Sequence, residues 1–355
     1  MAATIDSLLR EMVERGGTDL HVKAGRPPIM RLRGDLVAMD HPQMPETEST
    51  EMLLEVLNDE RRHVLYSSRE VDLSYFVAGV SRFRVNMFWQ RGKMGAVFRA
   101  IPYRIKTIDE LLLPEVTKQI AMLPRGLILV TGPTGSGKST TLAAMIDHIN
   151  QQKRCHILTI EDPIEYVHTD RVSIINQREL GTDTHQFSSA LKHVMRQNPD
   201  IILVGEMRDL ETIRLAITAA ETGHLVLSTL HTVDAAQTID RIVDAFPGEM
   251  HNQIRAQLAS VLLAAVGLRL VPRLAGPGRR AAVEILIATD GVRNMIREGK
   301  THQLRNAIVT GRSAGMQTLE AHLSELVARR EIALDAARAV SSRPQDVREP
   351  DRSAA

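Results

Sequence analysis

The stretch "GPTGSGKST", Gly132 to Thr140, packs three glycines, one lysine and four hydroxyl side chains into nine residues. An apolar run, "GLILVT", precedes it, and "TLAAMIDHIN", with helical spacing, follows. Strand, glycine loop and helix N-terminus are what a chain of phosphates requires. Glycines let backbone N–H groups turn inward, and the helix end adds partial positive charge. Gly132, Pro133, Thr134, Gly135, Ser136, Gly137, Lys138, Ser139 and Thr140 are therefore the candidate nucleotide-binding residues. Lys138 is expected to reach the β- and γ-phosphates of ATP, and Ser139 to ligate Mg²⁺.

Acids are needed beside such a loop, at the ends of neighbouring strands. "PDIILVGEMRD" carries four apolar residues, Ile201 to Val204, before Gly205 and Glu206. Glu206 is thus the candidate metal-side acid, bound to Mg²⁺ directly or through water. "CHILTIEDPIEY" ends in Glu161 and Asp162. Glu161 is a candidate catalytic acid, whereas Asp162, before a proline, suits turn capping equally well. The third candidate segment is "ETGHLVLSTLHT" with His224 and His231. Across a strand, seven residues at about 3.3 Å separate the two rings by on the order of 23 Å, so they cannot share a metal. His231 falls at the strand end that faces phosphate; His224 enters from the other end. Each also suits a hydrogen-bonded core or rim position.

Apolar runs alternating with helical segments must position these residues. "GLILVT", "CHILTI", "DIILVGE", "HLVLST" and "AVEILIA" read as strands of a mainly parallel sheet covered by helices, an α/β fold. Ahead of them the first hundred residues read as a smaller α+β domain: a helix over Ile5 to Glu14, short strands at "DLHVK" and "PPIMRLRGDL", and a helix over Glu46 to His63. Antiparallel strands follow through "VDLSYFVAGVSRFRVNMFWQRGKMGAVFRAI". In "SRFRVNMF" the period of two places Phe83, Val85 and Met87 on one face, and Arg82, Arg84 and Asn86 on the other. The expected organisation is a domain over 1–101, a linker with a short helix over 102–114, the phosphate-binding domain over 115–340 and a loose polar tail over 341–355.

Composition narrows the class. The chain has 355 residues, 43% of them hydrophobic, enough for about two domains with real cores. A formal net charge of +1 and 3% aromatics argue against a nucleic-acid coat or a base-stacking channel. A single cysteine, Cys155, excludes a disulfide framework and any cysteine-based zinc ribbon, which points to a reducing cytosol. Neither a secretory leader nor an apolar run of membrane-spanning length is expected.

Taken together, "GPTGSGKST", "ILTIEDPIEY", "RQNPDIILVGEMRDLETI" and "TGHLVLSTLHT" resemble the Walker A, Asp box, Walker B and His box of the secretion ATPase superfamily, which drives type II secretion and type IV pili. "TDLHVKAGRPPIMRLRGDL" and "SRFRVNMFWQRGKMGAVFRAIP" resemble its small PAS-like N-terminal domain. "GVRNMIREGK", from Gly291 to Lys300, and "GMQTLEAHL" resemble late motifs of the pilus-retraction branch. Extension and secretion ATPases usually carry a tetracysteine zinc site, which one cysteine cannot build. An accessory retraction ATPase shares these motifs.

The resemblance implies a RecA-like P-loop ATPase domain, a homohexameric ring with nucleotide between the two domains, and MgATP hydrolysis that powers pilus retraction. Its implied partners are a platform protein of the inner membrane and a paralogous retraction or extension ATPase; its implied place is the cytoplasmic face of that membrane. In this frame Glu206 is the Walker B acid, Glu161 orients or activates water, His231 reads the γ-phosphate and His224 supports the box. Arg82, Arg84 and Arg99 match N-domain arginines that approach phosphate at an interface, although a solvated strand face would look the same. Arg269 to Arg312 holds nine Arg or Lys against Glu284, Asp290 and Glu298, a local charge of +6, either a partner surface or solvated helix faces.

Overall fold

The computed structural model describes residues 3–101 and 104–349, which fall into two compact units divided between Arg104 and Ile105. Each has its own core. In the first, α1 (Ile5–Glu14) begins at a reciprocal cap in which Thr4 and Ser7 satisfy each other's backbone amides, and it buries Leu8, Leu9 and Met12. Six strands follow the order β3-β2-β1-β6-β5-β4, antiparallel throughout: β1 (Asp19–Lys23), β2 (Ile29–Leu32), β3 (Asp35–Ala38), β4 (Glu70–Val77), β5 (Ser81–Gln90) and β6 (Lys93–Ala100). Phe83, Val85 and Met87 of β5 face inward and are fully buried, as their alternation predicts. The helix expected over Glu46 to His63 is two, α2 (Glu46–Glu55) and α3 (Asp59–Ser68). Asn58 breaks it, because its side chain accepts the Arg61 amide and so starts a new helix.

The second unit is built on a seven-stranded sheet in the order β13-β12-β7-β11-β10-β8-β9. Its elements are α4 (Val116–Ala121), β7 (Gly126–Thr131), α5 (Lys138–Gln152), β8 (His156–Glu161), β9 (Ile174–Glu179), α6 (Phe187–Val194) and β10 (Ile201–Val204). They continue with α7 (Leu210–Glu221), β11 (Leu225–Leu230), α8 (Ala235–Asp244), α9 (His251–Val261), β12 (Leu262–Pro272) and β13 (Arg279–Ile287). The chain closes with α10 (Asp290–Arg297), α11 (Leu304–Thr310), α12 (Leu319–Ala328) and α13 (Leu334–Val340). Every pairing is parallel except β12 with β13. Strands β7, β10 and β11 are buried along their whole length, since helices cover both faces, and this is why they read as continuous apolar runs.

Two strands escaped the sequence reading. β9 is an edge strand whose residues alternate only weakly in burial, and β12 follows α9 without a break inside "LASVLLAAVGLRLV", a run that suits helix or strand equally. Of the expected linker, Pro102 and Tyr103 lie outside the described residues. The remainder forms turns rather than a helix, and Ile108 and Leu113 are buried in the core of the second unit. The tail needs a similar correction. Residues 350–355 lie outside the described residues, but Val347 is buried among Val271, Leu323 and Ile332, Arg305 donates to Asp346 at 2.8 Å, and the Arg348 amide donates to Ser324. One apolar side chain and two polar anchors suffice to hold a polar segment down. No helix among the described residues is long and apolar enough to cross a membrane.

Candidate functional site

Parallel register brings the candidates together. Ile160, Val204, Ser228 and Leu129 stand in one row across β8, β10, β11 and β7. Each chain leaves its strand just beyond this row, so Glu161, Gly205 with Glu206, His231 and the glycine loop all emerge at the carboxyl edge of the sheet. That edge is where open α/β sheets bind ligands. Gly205 lets two of these ends lie close together: a Cβ there would stand 3.3 Å from Glu161 Cα and 3.2 Å from the Ile160 carbonyl oxygen.

The loop has the backbone of an anion cradle. Gly132, Gly135 and Gly137 have φ of 143°, 77° and 95°. At Gly132 a side chain is excluded twice over, because its Cβ would also lie 2.5 Å from Ser136 Oγ and 2.6 Å from the Leu268 carbonyl oxygen. α5 starts at Gly137 with no side-chain cap, which leaves its first amides without intrahelical acceptors. Ser136 Oγ is buried and has no partner among the described residues. Together these features fit phosphate oxygens.

Lys138, 8% exposed, folds back over the loop and donates to the carbonyls of Gly132 (2.9 Å) and Pro133 (3.2 Å). Its third donor reaches His231 Nδ1 at 3.4 Å, and His231 Nε2 lies 3.2 Å from Glu206 Oε1. This network assigns the proton of a neutral His231 to Nε2, donating to Glu206, with Nδ1 accepting from Lys138. Burial pushes the Lys138 ammonium below its ordinary pKa, against the pull of Glu206 and Glu165. Glu206 also accepts from Arg208 Nε at 2.9 Å, and the same guanidinium stands 3.9 Å from Asp162. Ser139 lies half-buried in the first turn of α5. A serine hydroxyl and a carboxylate are hard oxygen donors of the kind Mg²⁺ takes beside phosphates, so the residues fit that ion. Thr140 turns its hydroxyl elsewhere, to Tyr166 Oη at 2.9 Å.

Glu161 has a separate set of partners. Its Oε1 accepts from Thr159 Oγ1 at 2.7 Å and from Gln177 Nε2 at 3.1 Å. Burial raises its pKa above the ordinary glutamate value, while these two hydrogen bonds oppose the rise. Gln177 also donates to the Tyr166 carbonyl at 2.8 Å and accepts the His168 amide at 2.8 Å, which ties β9 to the segment after Glu161. Gln177, Tyr166 and Arg208 were not found in the sequence. Arg208, two residues beyond Glu206, was the one within reach of a spacing argument; Gln177 arrives from a strand that the sequence did not reveal.

His224 is not part of this constellation. It precedes β11 at the opposite edge of the sheet, and its Nδ1 lies 2.9 Å from the Ala219 carbonyl and 3.3 Å from Thr222 Oγ1, closing the turn after α7. Within this chain a six-residue strand separates it from the loop by about 20 Å.

Arg82, Arg84 and Arg99 lie in the first unit. Arg84 and Arg99 are cross-strand neighbours, and Arg99 pairs in turn with Asp19, whose carboxylate it meets at 2.7 Å. Burial raises the Asp19 pKa, but Thr18, Arg99 and Arg31 outweigh it and leave the carboxyl below its ordinary value. Arg84 stays exposed and Arg82 is half-buried. Five of the nine cations of 269–312 have partners, and Lys300 makes its pair at the surface. Arg269 donates to the Val233 carbonyl, Arg280 pairs with Glu331, Arg293 donates to the carbonyls of Ala259 and Ser260, Lys300 pairs with Glu298, and Arg305 pairs with Glu320. Arg273, Arg279, Arg297 and Arg312 are exposed.

Known proteins can now be set beside this geometry. The family model for type II/IV secretion system proteins matches residues 78–354. The type IV pilus retractation ATPase PilT of Pseudomonas aeruginosa is 50% identical over 342 residues, which is 96% of this chain and 99% of that protein. The type IV pilus ATPase PilU of the same organism is 41% identical over 343 residues, 97% of this chain and 90% of its own. A crystal structure of the pilus retraction motor PilT with bound ADP superposes with a TM-score of 0.91 at 44% identity, covering 97% of this chain and 99% of that one. The likeness extends over both units, the antiparallel N-terminal domain and the RecA-like sheet. The chain therefore belongs to the type II/IV secretion system protein family and is a P-loop ATPase.

Proposed function

We propose that this protein hydrolyses MgATP as a homohexamer to power type IV pilus retraction, acting on a platform protein at the cytoplasmic face of the inner membrane. The observation that carries the reading is the chain Lys138, His231, Glu206 at the carboxyl edge of the sheet, with Glu161 held nearby by Thr159 and Gln177. Likeness to PilT over nearly the whole of both chains supplies the direction of work.

In this reading the amides of residues 133–140 and Lys138 hold the phosphates, and Ser139 and Glu206 hold Mg²⁺. The ion supplies charge neutralisation on the phosphate oxygens. Glu161 accepts a proton from water, a task suited to a carboxylate that burial has made more basic. His231 senses the terminal phosphate in this reading, which its contacts with Lys138 and Glu206 support. Arg82, Arg84 and Arg99 are the arginines assigned to stabilise transition-state charge, which makes turnover depend on ring conformation.

Purified protein tests the chemistry. Lys138→Ala and Glu206→Gln should each abolish phosphate release; wild-type turnover in either removes the assignment. Gene deletion tests the direction: excess, immobile pili support retraction, and loss of pili supports extension. An accessory ring like PilU, the weaker likeness at 41% against 50%, would instead bind nucleotide and modulate a partner with little steady-state release of its own.

A further inference from the structure

Glu284 was set aside in the sequence as one of three acids in a basic segment, yet it is 7% exposed and lies at the catalytic edge of the sheet. Strand register places Glu284, Gly267, Thr131 and Leu230 in a single row across β13, β12, β7 and β11. The next residues on β7 and β11 are Gly132 and His231. Gly267 is the gap through which this row closes up: a Cβ there would stand 3.4 Å from Glu284 Cβ and 3.6 Å from Thr131 Oγ1. Glu284 Oε1 accepts the backbone amide of Ala235, the first residue of α8, at 2.9 Å.

The four residues from His231 to Asp234 connect β11 to α8, and the same ribbon grips them a second time. Arg269 on β12 donates to the Val233 carbonyl at 2.9 Å and to its own neighbour, the Leu268 carbonyl, at 2.9 Å. Within the connection, Thr232 bonds Thr238 at 2.6 Å and Asp234 caps the Gln237 amide. None of these bonds fixes the connection to the phosphate loop. The β12–β13 ribbon, paired with the strand that leads into that loop, grips the connection through one guanidinium and one carboxyl group. An apolar residue at 284 would pack more cheaply but would leave the Ala235 amide buried without an acceptor.

We propose that Arg269 and Glu284 are positioning residues, a two-point clamp from the β12–β13 ribbon that sets where His231 stands between Lys138 and Glu206. Movement of the ribbon then alters turnover while nucleotide affinity stays constant. β13 runs on through Thr289, the cap of α10, into the segment that carries "GVRNMIREGK", so the clamp also joins the C-terminal helices to the phosphate-side histidine. This inference rests on the ATPase reading above. Burial raises the Glu284 pKa to about 7, with Asp234 and Glu320 adding to the rise and the Ala235 amide and Arg305 opposing it. A carbonyl oxygen serves the Ala235 amide as well as a carboxylate does, so glutamine should substitute.

The test uses the full chain, with steady-state MgATP hydrolysis, equilibrium binding of a fluorescent ADP and thermal melting measured side by side. Glu284→Ala and Arg269→Ala should each lower kcat about tenfold or more while the Kd for ADP stays within about twofold, and Glu284→Gln should remain within about threefold of wild type. Added to His231→Ala, neither alanine should lower kcat further by more than about twofold, because both act through the same ring. Wild-type kcat in Glu284→Ala, loss of ADP affinity in step with kcat, or full multiplication of the losses with His231→Ala would overturn the clamp. Should Glu284→Ala fail to fold, Arg269→Ala in the two backgrounds decides by the same criteria. A wild-type protein that binds ADP but releases no phosphate would overturn the ATPase reading and the clamp with it; active wild type with an indifferent clamp would sink the clamp alone.

Discussion

Gln177 gives one hydrogen bond to Glu161 and one to the Tyr166 carbonyl, and both are lost in Gln177→Ala. Its bond lowers the Glu161 pKa, so its removal leaves burial less opposed and the pKa higher. The acidic limb of the kcat profile should move to higher pH, and kcat at neutral pH should fall about tenfold; an unmoved limb would deny that Gln177 acts through Glu161. Gly132 tests the cradle itself. Gly132→Ala places a methyl group against Ser136 Oγ and the Leu268 carbonyl at a φ of 143°, and it should cost about 1–3 kcal/mol or more and abolish nucleotide binding. Binding within twofold of wild type would show that the loop tolerates displacement. These two residues differ in legibility. Gly132 belongs to a contiguous motif, whereas Gln177 is 16 residues from Glu161 and reaches it only because β9 pairs with β8 in parallel.

Elements that carry no catalytic side chain still decide whether the edge of the sheet is held. α12 is attached to β13 by His322, whose Nδ1 accepts the Val283 amide at 2.9 Å. The bond needs a neutral ring. Burial, aided by Arg280 and Arg329 and opposed by Glu325, lowers the His322 pKa from 6.5 to about 4. Between those values the unfolded chain takes up the proton and the folded chain does not. Stability from this group is therefore present above pH 6.5 and is lost as pH falls toward 4, by at most about 3 kcal/mol. Glu284 works in the opposite sense: its folded pKa of about 7 lies above the unfolded 4.5, so its penalty is absent below 4.5 and complete above 7. Thermal melts should show His322→Gln gaining on wild type as pH drops from 7 to 5, and Glu284→Gln gaining as pH rises from 5 to 8. Parallel melting curves across that range in either variant would contradict the corresponding burial argument.

At the scale of the molecule, the second unit contains the entire glycine loop, both acids, His231 and its own apolar core, while Arg82, Arg84 and Arg99 belong to the first. A chain starting at Ile105 should fold, bind ADP with an affinity within about threefold of the full chain, and lose at least about 90% of its turnover if the arginines stabilise developing charge. Full turnover by that fragment would confine the arginines to the surface of their sheet.

What was legible from the sequence alone follows from locality. The glycine loop, the two strand-end acids and His231 each lie beside a short apolar run, and strand alternation told which faces of β5 would be buried, because backbone geometry imposes those periods on neighbouring residues. Four ordered motifs then carried the family. Tertiary structure decided what depends on residues distant in sequence. It gave four of the nine cations of 269–312 partners within the fold and packed Val347 into a core. It assigned His224 to a turn, and it brought Gln177, Arg269 and Glu284 toward the carboxyl edge of the sheet through strand pairings. Register is a property of paired strands, and no single strand contains it.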